Sequence, residues 1–151
     1  MAAGRRIWFS VVSLNVQRPF DAPGAVRLIL SNPPVNADLG SLADAIEGIS
    51  QYDRVIVISA IGKGFSAGGD LKEMDQFDGY EGISGQCLES ARACTAISRC
   101  AVPAIVVVHD YYLGVDIELV GSADIALVNE TALFQLTEVD NGTAGGTAQG
   151  F

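Results

Sequence analysis

The chain has 151 residues, a length that predicts one domain with a buried core. Hydrophobic residues make up 49% of the chain and charged residues 18%, a composition that excludes intrinsic disorder. The formal net charge of −9 argues against a nucleic-acid partner or an anionic membrane surface, because both require clustered Lys and Arg side chains.

The first half of the chain predicts three strands and one helix. Ile7–Val16 is rich in β-forming residues, and Val26–Leu30 is a second strand that stops before a Pro-Pro pair. Apolar residues repeat with helical spacing through Leu39–Ile49. The continuous apolar run Val55–Ile58 is typical of a strand buried on both faces, and the glycine-rich loop Gly62–Gly69 follows it.

The second half continues this alternation. Ile83–Ser98 is helix-like, and Ala104–Val108 is another continuous apolar strand. A short helix is predicted at Asp116–Gly121, before two short strands at Ile125–Val128 and Ala132–Phe134. Apolar strands that alternate with helices predict an α/β fold with a mostly parallel sheet.

The cysteines, the single histidine and the N-terminal stretch bear on the type of functional site and on the cellular compartment. Cys87, Cys94 and Cys100 form no CxxC motif, so we expect free, buried or half-buried thiols in a reducing compartment. His109 is the only histidine and has no cluster of partners, which argues against a metal site and a Ser-His-Asp triad. Polar residues follow the N-terminal apolar stretch, so we interpret it as a strand and expect a cytoplasmic protein without a membrane partner.

Three sequence blocks and one shorter segment resemble the crotonase family, also called the enoyl-CoA hydratase/isomerase superfamily. The resemblance implies a crotonase-like α/β core of ββα units, as a single domain over residues 1–151. The chain ends where the family begins its next helix, so the expected core lacks the family's C-terminal helical region. The blocks are GKGFSAGGDLKEM (Gly62–Met74), PAIVVVHDYYLGVDIELVGSADIAL (Pro103–Leu127) and ETALFQLTEVDNG (Glu130–Gly142), and the segment is SNPPVNA (Ser31–Ala37).

The resemblance also implies a mechanism. Members of the family bind an acyl-CoA thioester and stabilise an enolate-like oxyanion with two backbone N–H groups. By the match of motifs these donors are Gly69, before the Asp of the first block, and Val115, within LGVD. Glu118 and Glu138 match the two glutamates of the family's hydratases. Glu118 is expected to act on the water that attacks Cβ, and Glu138 on the proton at Cα.

The glycine-rich loop is expected, again by resemblance, to run along coenzyme A. Coenzyme A enters as part of the substrate, so no separate cofactor and no metal are expected. The family forms trimers and hexamers, which implies a homo-oligomer. The residues expected to bind CoA are Lys63, Phe65, Ala67, Gly68, Asp70, Leu71, Lys72 and Gly114.

The function implied by the resemblance is an enoyl-CoA hydratase-like lyase that adds water to a trans-2-enoyl-CoA thioester. One alternative is other crotonase chemistry, such as double-bond isomerisation or thioester hydrolysis. Another is an inert domain that binds acyl-CoA or assembles with partner chains. The paired glutamates favour hydration. Val115 and Asp116 stand where the family keeps glycines, and a carboxylate facing the oxyanion would oppose its charge.

Overall fold

The computed structural model describes residues 14–31, 39–67, 80–114 and 117–135 of the chain. These residues form strands and helices in an alternating order, as an α/β fold requires. In chain order the elements are β1 (Leu14–Gln17), β2 (Ala25–Leu30), α1 (Leu39–Glu47), β3 (Val55–Ala60), α2 (Tyr80–Ser98), β4 (Ala104–Val108), β5 (Tyr111–Leu113), α3 (Ile117–Ser122), β6 (Ile125–Val128) and β7 (Leu133–Gln135).

The main sheet has five strands in the order β1-β2-β3-β4-β6. β1 pairs antiparallel with β2, and the other three pairings are parallel. β3 and β4 are neighbours, with Ile56 opposite Ala104 and Ile58 opposite Val106. A second, two-stranded parallel sheet pairs β5 with β7. The predicted α/β fold with a mostly parallel sheet is therefore confirmed.

The core forms on one face of the main sheet. Ile56 and Ile58 of β3 are fully buried, and they belong to the same cluster as Leu42 of α1 and Ile97 of α2. The intervening residues of β3 are only half-buried. The expectation that β3 is buried on both faces is therefore wrong for the described residues, because α1 and α2 cover only the face that carries the isoleucines.

The predicted elements and the observed ones differ mainly at their ends. The predicted first strand begins at Ile7, but only Leu14–Gln17 is described as β1, and residues 7–13 lie outside the described residues. α1 ends at Glu47, two residues before the predicted end, and α2 begins at Tyr80 rather than Ile83. β5 was not predicted, because three residues are too few to show a periodicity.

The three cysteines agree with their prediction. All are free thiols: Cys94 is buried within α2, and Cys87 and Cys100 are half-buried. Cys94 belongs to the main hydrophobic cluster, and Cys100 packs against it. Cys94 and Cys100 therefore serve as small apolar side chains in the packing of α2 and the segment after it.

A buried carboxylate joins two turns on the amino-terminal side of β2 and β3. Arg18 donates from Nε and Nη2 to the two oxygens of Asp53, at 3.1 and 2.9 Å. The backbone N–H of Ser50 donates to Asp53 Oδ2 at 2.8 Å. These contacts, led by the hydrogen bond from Arg18, hold the pKa of Asp53 below its ordinary value of 3.8. The ionised carboxylate therefore stabilises the folded chain.

We predict that Asp53→Asn weakens the dependence of the free energy of unfolding on pH in the acid range. The pKa of Asp53 is lower in the folded than in the unfolded chain, so its stabilisation is complete well above pH 3.8 and is lost as the pH falls through the folded-state pKa. Asp53→Asn should therefore lower the free energy of unfolding at pH 7, and this deficit should shrink as the pH falls below 3.8. Urea unfolding at a series of pH values measures this difference.

The matched control is Asp21→Asn, which removes an exposed carboxylate near the same turn. It should leave the urea midpoint within experimental error of the wild type at every pH. A deficit in Asp53→Asn that stays constant from pH 7 to pH 3 would contradict the electrostatic account of Asp53.

Candidate active site

The parallel pairing of β3 with β4 brings two loops to the same edge of the sheet. The loop after β3 meets β5, which follows β4 after a short turn. The N–H of Phe65 donates to the carbonyl of Tyr111 at 2.9 Å, and the N–H of Leu113 donates to the carbonyl of Ser66 at 3.0 Å. These bonds form an isolated parallel bridge between Ser66 and Tyr112. The first and second blocks are thus joined through their backbones.

The glycine-rich loop is also held where it begins. His109, at the carboxyl end of β4, contacts the carbonyl oxygen of Gly62 through Nε2 at 3.1 Å. A carbonyl only accepts, so Nε2 must carry the hydrogen. Gly62 has a φ of 107°, in the region that favours glycine. This contact gives His109 a structural role, as the sequence predicts.

Gly64 lies directly against an aromatic ring. A Cβ added at Gly64 would be 2.7 Å from three carbons of the Tyr111 ring, closer than any ordinary contact. Tyr111 is half-buried, and its carbonyl holds the neighbouring Phe65. The loop can therefore approach β5 this closely only with glycine at position 64.

The turn between β4 and β5 also positions the third block. Asp110 adopts a φ of 53°, which Asp tolerates better than most residues. Its carbonyl accepts a hydrogen bond from the N–H of Leu133 at 2.7 Å, at the start of β7. In the β5–β7 pair, Tyr112 lies opposite Phe134. All three blocks therefore meet around β5.

Three aromatic rings pack where the blocks meet. Tyr112 is fully buried, and its ring meets that of Phe65 edge to face, with centroids 4.9 Å apart and planes at 84°. The ring of Phe134 meets Tyr112 in the same manner, at 5.7 Å and 85°. We call Phe65, Tyr112 and Phe134 the aromatic column. Alternation along β5 turns Tyr112 inward and leaves Tyr111 at the surface of the loop.

Glu118 lies in the first turn of α3, close in sequence to the end of β5. The residue is half-buried, and its carboxylate Oε2 is shielded from solvent. The fully buried Leu119 fixes the helix against the core. The hydroxyl of Ser122 donates to the backbone carbonyl of Glu118 at 2.8 Å, within the same short helix. This arrangement gives Glu118 a fixed backbone and a partly desolvated carboxylate.

The structure places four of the predicted CoA-binding residues. Lys63 is exposed and Ala67 is half-buried, whereas Phe65 and Gly114 are buried, the latter with a φ of 77°. The side chain of Phe65 packs in the core, and its N–H is bonded to the carbonyl of Tyr111. The other predicted site residues lie outside the described residues: Gly68, Gly69, Asp70, Leu71, Lys72, Val115 and Glu138. The roles of both groups stay predictions.

Sequence reasoning missed Tyr112 and Asp110. A Tyr-Tyr pair beside a strand gives no sign of which ring turns inward until β5 is known. Asp110 is one of 18 acidic residues, and its special backbone angle leaves no mark in the sequence. Both were detectable only through the pairing of β5 with its neighbours.

Within residues 14–31, 39–67, 80–114 and 117–135, no three His, Cys, Asp or Glu side chains converge as metal ligands would. No helix in these ranges has the length and apolar character to cross a bilayer.

We predict that Gly64→Ala destabilises the chain by about 1–3 kcal/mol, as overpacking typically does. The added methyl group must displace the Tyr111 ring, which it would otherwise approach to 2.7 Å. Tyr111→Ala should remove this clash, so the double variant should lose less stability than the sum of the two single losses. Urea unfolding of the four proteins measures the coupling.

The control for this cycle is Gly85→Ala, since a Cβ at Gly85 of α2 meets nothing within 4 Å. Alanine there should raise stability by about 0.5–1 kcal/mol, because it is the better helix former. Additive losses in the Gly64 and Tyr111 variants would show that the ring does not limit the loop.

Comparison with known proteins supports one family. Residues 29–149 match the family model described as enoyl-CoA hydratase/isomerase. The chain is 38% identical over 131 residues to a Rhodococcus jostii protein named (7aS)-7a-methyl-1,5-dioxo-2,3,5,6,7,7a-hexahydro-1H-indene-carboxyl-CoA hydrolase, covering 83% of the chain and 51% of that relative. It is 31% identical over 149 residues to an Arabidopsis thaliana peroxisomal Delta(3,5)-Delta(2,4)-dienoyl-CoA isomerase, covering 87% and 54%.

Solved structures agree with the sequence relatives. The chain superposes on the crystal structure of an enoyl-CoA hydratase from Mycobacterium smegmatis with a TM-score of 0.78 and 29% identity, covering 87% of the chain and 53% of that structure. The chain thus spans about half the length of the relatives it matches. The shared fold and the match over most of its residues lead to one conclusion: the chain belongs to the enoyl-CoA hydratase/isomerase, or crotonase, family.

Proposed function

We propose that this chain carries an acyl-CoA site and that its reaction is the addition of water to a trans-2-enoyl-CoA thioester. The observation that carries this proposal is the junction of the glycine-rich loop with β5, through the bond from Leu113 N–H to the carbonyl of Ser66. The two predicted oxyanion donors, Gly69 and Val115, follow these joined segments in the sequence. Relatives named as CoA hydratases, isomerases and hydrolases support the substrate class.

The proposed chemistry begins at the thioester carbonyl. Attack of water at Cβ moves electrons toward that carbonyl, and its oxygen acquires negative charge. Backbone N–H groups fixed in a water-poor site stabilise such charge by about 3–4 kcal/mol for each donor. The proposal assigns these donors to Gly69 and Val115. The buried Gly114, with its positive φ, supports a close approach of the backbone to a ligand at this point.

Glu118 is assigned to the attacking water. Its carboxylate takes one proton from the water as the oxygen bonds to Cβ, and the carboxyl of Glu138 gives one proton to Cα. Transfer of one proton from Glu118 to Glu138 then restores both groups, so each turnover consumes one water. The half-buried position of Glu118 at the start of α3 supports this role, since it combines a fixed backbone with a shielded carboxylate oxygen.

A second candidate reaction on the same site is hydrolysis of an acyl-CoA substrate. The specific observation in its favour is the Rhodococcus jostii relative, whose printed name describes a carboxyl-CoA hydrolase. Val115 and Asp116 at the family's glycine positions also favour chemistry other than hydration. The two reactions differ in their products, since hydration keeps the thioester intact. Release of free CoA thiol, measured beside loss of the conjugated double bond, distinguishes them.

We predict that Glu118→Gln and Glu138→Gln each lower the rate of crotonyl-CoA hydration by about 10²–10⁴-fold. Glutamine keeps the size and hydrogen-bonding capacity of glutamate but cannot exchange the proton. The double variant should lose less than the product of the single losses, because both groups act on one water and one substrate. Steady-state hydration at saturating substrate measures these rates.

Glu130→Gln is the matched control, because Glu130 is an exposed glutamate in the turn after β6. It should keep the wild-type rate. Hydration that survives both catalytic substitutions would refute the two-glutamate mechanism. Sensitivity to only one of them would favour isomerase or hydrolase chemistry.

A further inference from the structure

The aromatic column connects the three segments that the sequence marks for chemistry. Phe65 belongs to the glycine-rich loop, Tyr112 to β5 and Phe134 to β7. Tyr112 is the middle ring and contacts both of the others edge to face. Its exposure is 0%, so the ring is enclosed on every side. One side chain therefore holds parts of all three blocks at once.

We propose that Tyr112 is a positioning residue for the acyl-CoA site, an inference that rests on the proposed function. Its ring keeps residues 65–66, β5 and β7 in a single register. The chain then leaves this junction at fixed places, at Ala67 and at Gly114. The predicted donors Gly69 and Val115 follow shortly after these residues in the sequence. Tyr112 does not itself meet the substrate; it acts through the backbone on either side.

The backbone bonds alone are a limited constraint. Among the described residues, the loop and β5 share one isolated bridge, between Ser66 and Tyr112, with two backbone hydrogen bonds. Two bonds alone give little resistance to a shift along the strand. The buried Phe65–Tyr112 contact supplies that resistance, because a shifted register would pull the two rings out of their edge-to-face packing.

β7 contacts the other side of the ring through Phe134, whose side chain is 41% exposed. Tyr112 and Phe134 are directly opposite in the β5–β7 register, and their rings touch. Glu138 follows β7 in the sequence. The aromatic column thus connects the segments that precede both predicted donors with the segment that precedes Glu138, the second predicted glutamate. Oxyanion stabilisation requires donor positions held to about 0.5 Å, so a small slip here is costly.

The test compares three full-length proteins. These are the wild type, Tyr112→Phe, which keeps the ring, and Tyr112→Leu, which removes the ring but preserves an apolar side chain. Tyr112→Leu should lower kcat for crotonyl-CoA hydration by about 10–100-fold and leave KM within about threefold, since misplacement by about 1 Å costs roughly 100-fold in rate. Tyr112→Phe should retain at least about half of the wild-type kcat, because the ring supplies the restraint.

The control for general destabilisation is Ile97→Ala, a buried residue of α2 in the main core. It should lower Tm while kcat below the unfolding range stays unchanged. Equal kcat in Tyr112→Leu and the wild type would overturn the inference, as would an equal loss in Tyr112→Phe and Tyr112→Leu. If Tyr112→Leu fails to fold, Phe134→Leu replaces it in the test, because this variant leaves Tyr112 in place and should still lower kcat. An unchanged kcat in Phe134→Leu would also overturn the inference.

A binding probe separates this inference from the proposed function. The absorption of a cinnamoyl-CoA thioester moves to longer wavelength when its carbonyl accepts hydrogen bonds. The wild type should show this shift, and Tyr112→Leu should bind the probe with a smaller one. If Tyr112→Leu binds the probe with the same absorption shift as the wild type, this inference is overturned and the proposed function is not. A wild-type chain that neither hydrates crotonyl-CoA nor binds the probe would overturn the proposed function, and this inference with it.

Discussion

The parallel pairing of β3 with β4 is the constraint on which the candidate site depends. Parallel neighbours end at the same edge, so the chain that leaves β3 at Ala60 and the chain that leaves β4 at Val108 emerge side by side. The contact of His109 with Gly62 and the backbone bonds of residues 65–66 to β5 are possible only because of this shared edge. The same parallel arrangement carries ligand sites in other open α/β sheets.

The sequence was informative where burial follows a simple pattern. The apolar runs at Val55–Ile58 and Ala104–Val108 became adjacent core strands, because few other environments accept continuous β-branched residues. The described part of the predicted glycine-rich loop, residues 62–67, follows β3 as expected, and Gly64 shows why glycine is needed there. Glu118 lies on α3 (Ile117–Ser122), which agrees with the short helix predicted at Asp116–Gly121.

The sequence was silent where structure depends on a long-range pairing. β5 has three residues, and its partners are Ser66 and β7, neither of which lies next to it in the chain. The inward turn of Tyr112 follows from those pairings and from nothing within the YYL segment itself. Even the half-buried second face of β3 reflects where the helices pack rather than the composition of the strand. Local patterns identify elements, and contacts between distant segments determine the geometry of the site.

The hydrogen bond from His109 to Gly62 has a consequence for the imidazole ring itself. Its Nε2 carries the hydrogen that the carbonyl of Gly62 accepts, so the tautomer of the ring is fixed by the backbone of the loop. Nδ1 takes no part in this bond. The histidine therefore fastens the start of the glycine-rich loop to the end of β4 through one nitrogen alone.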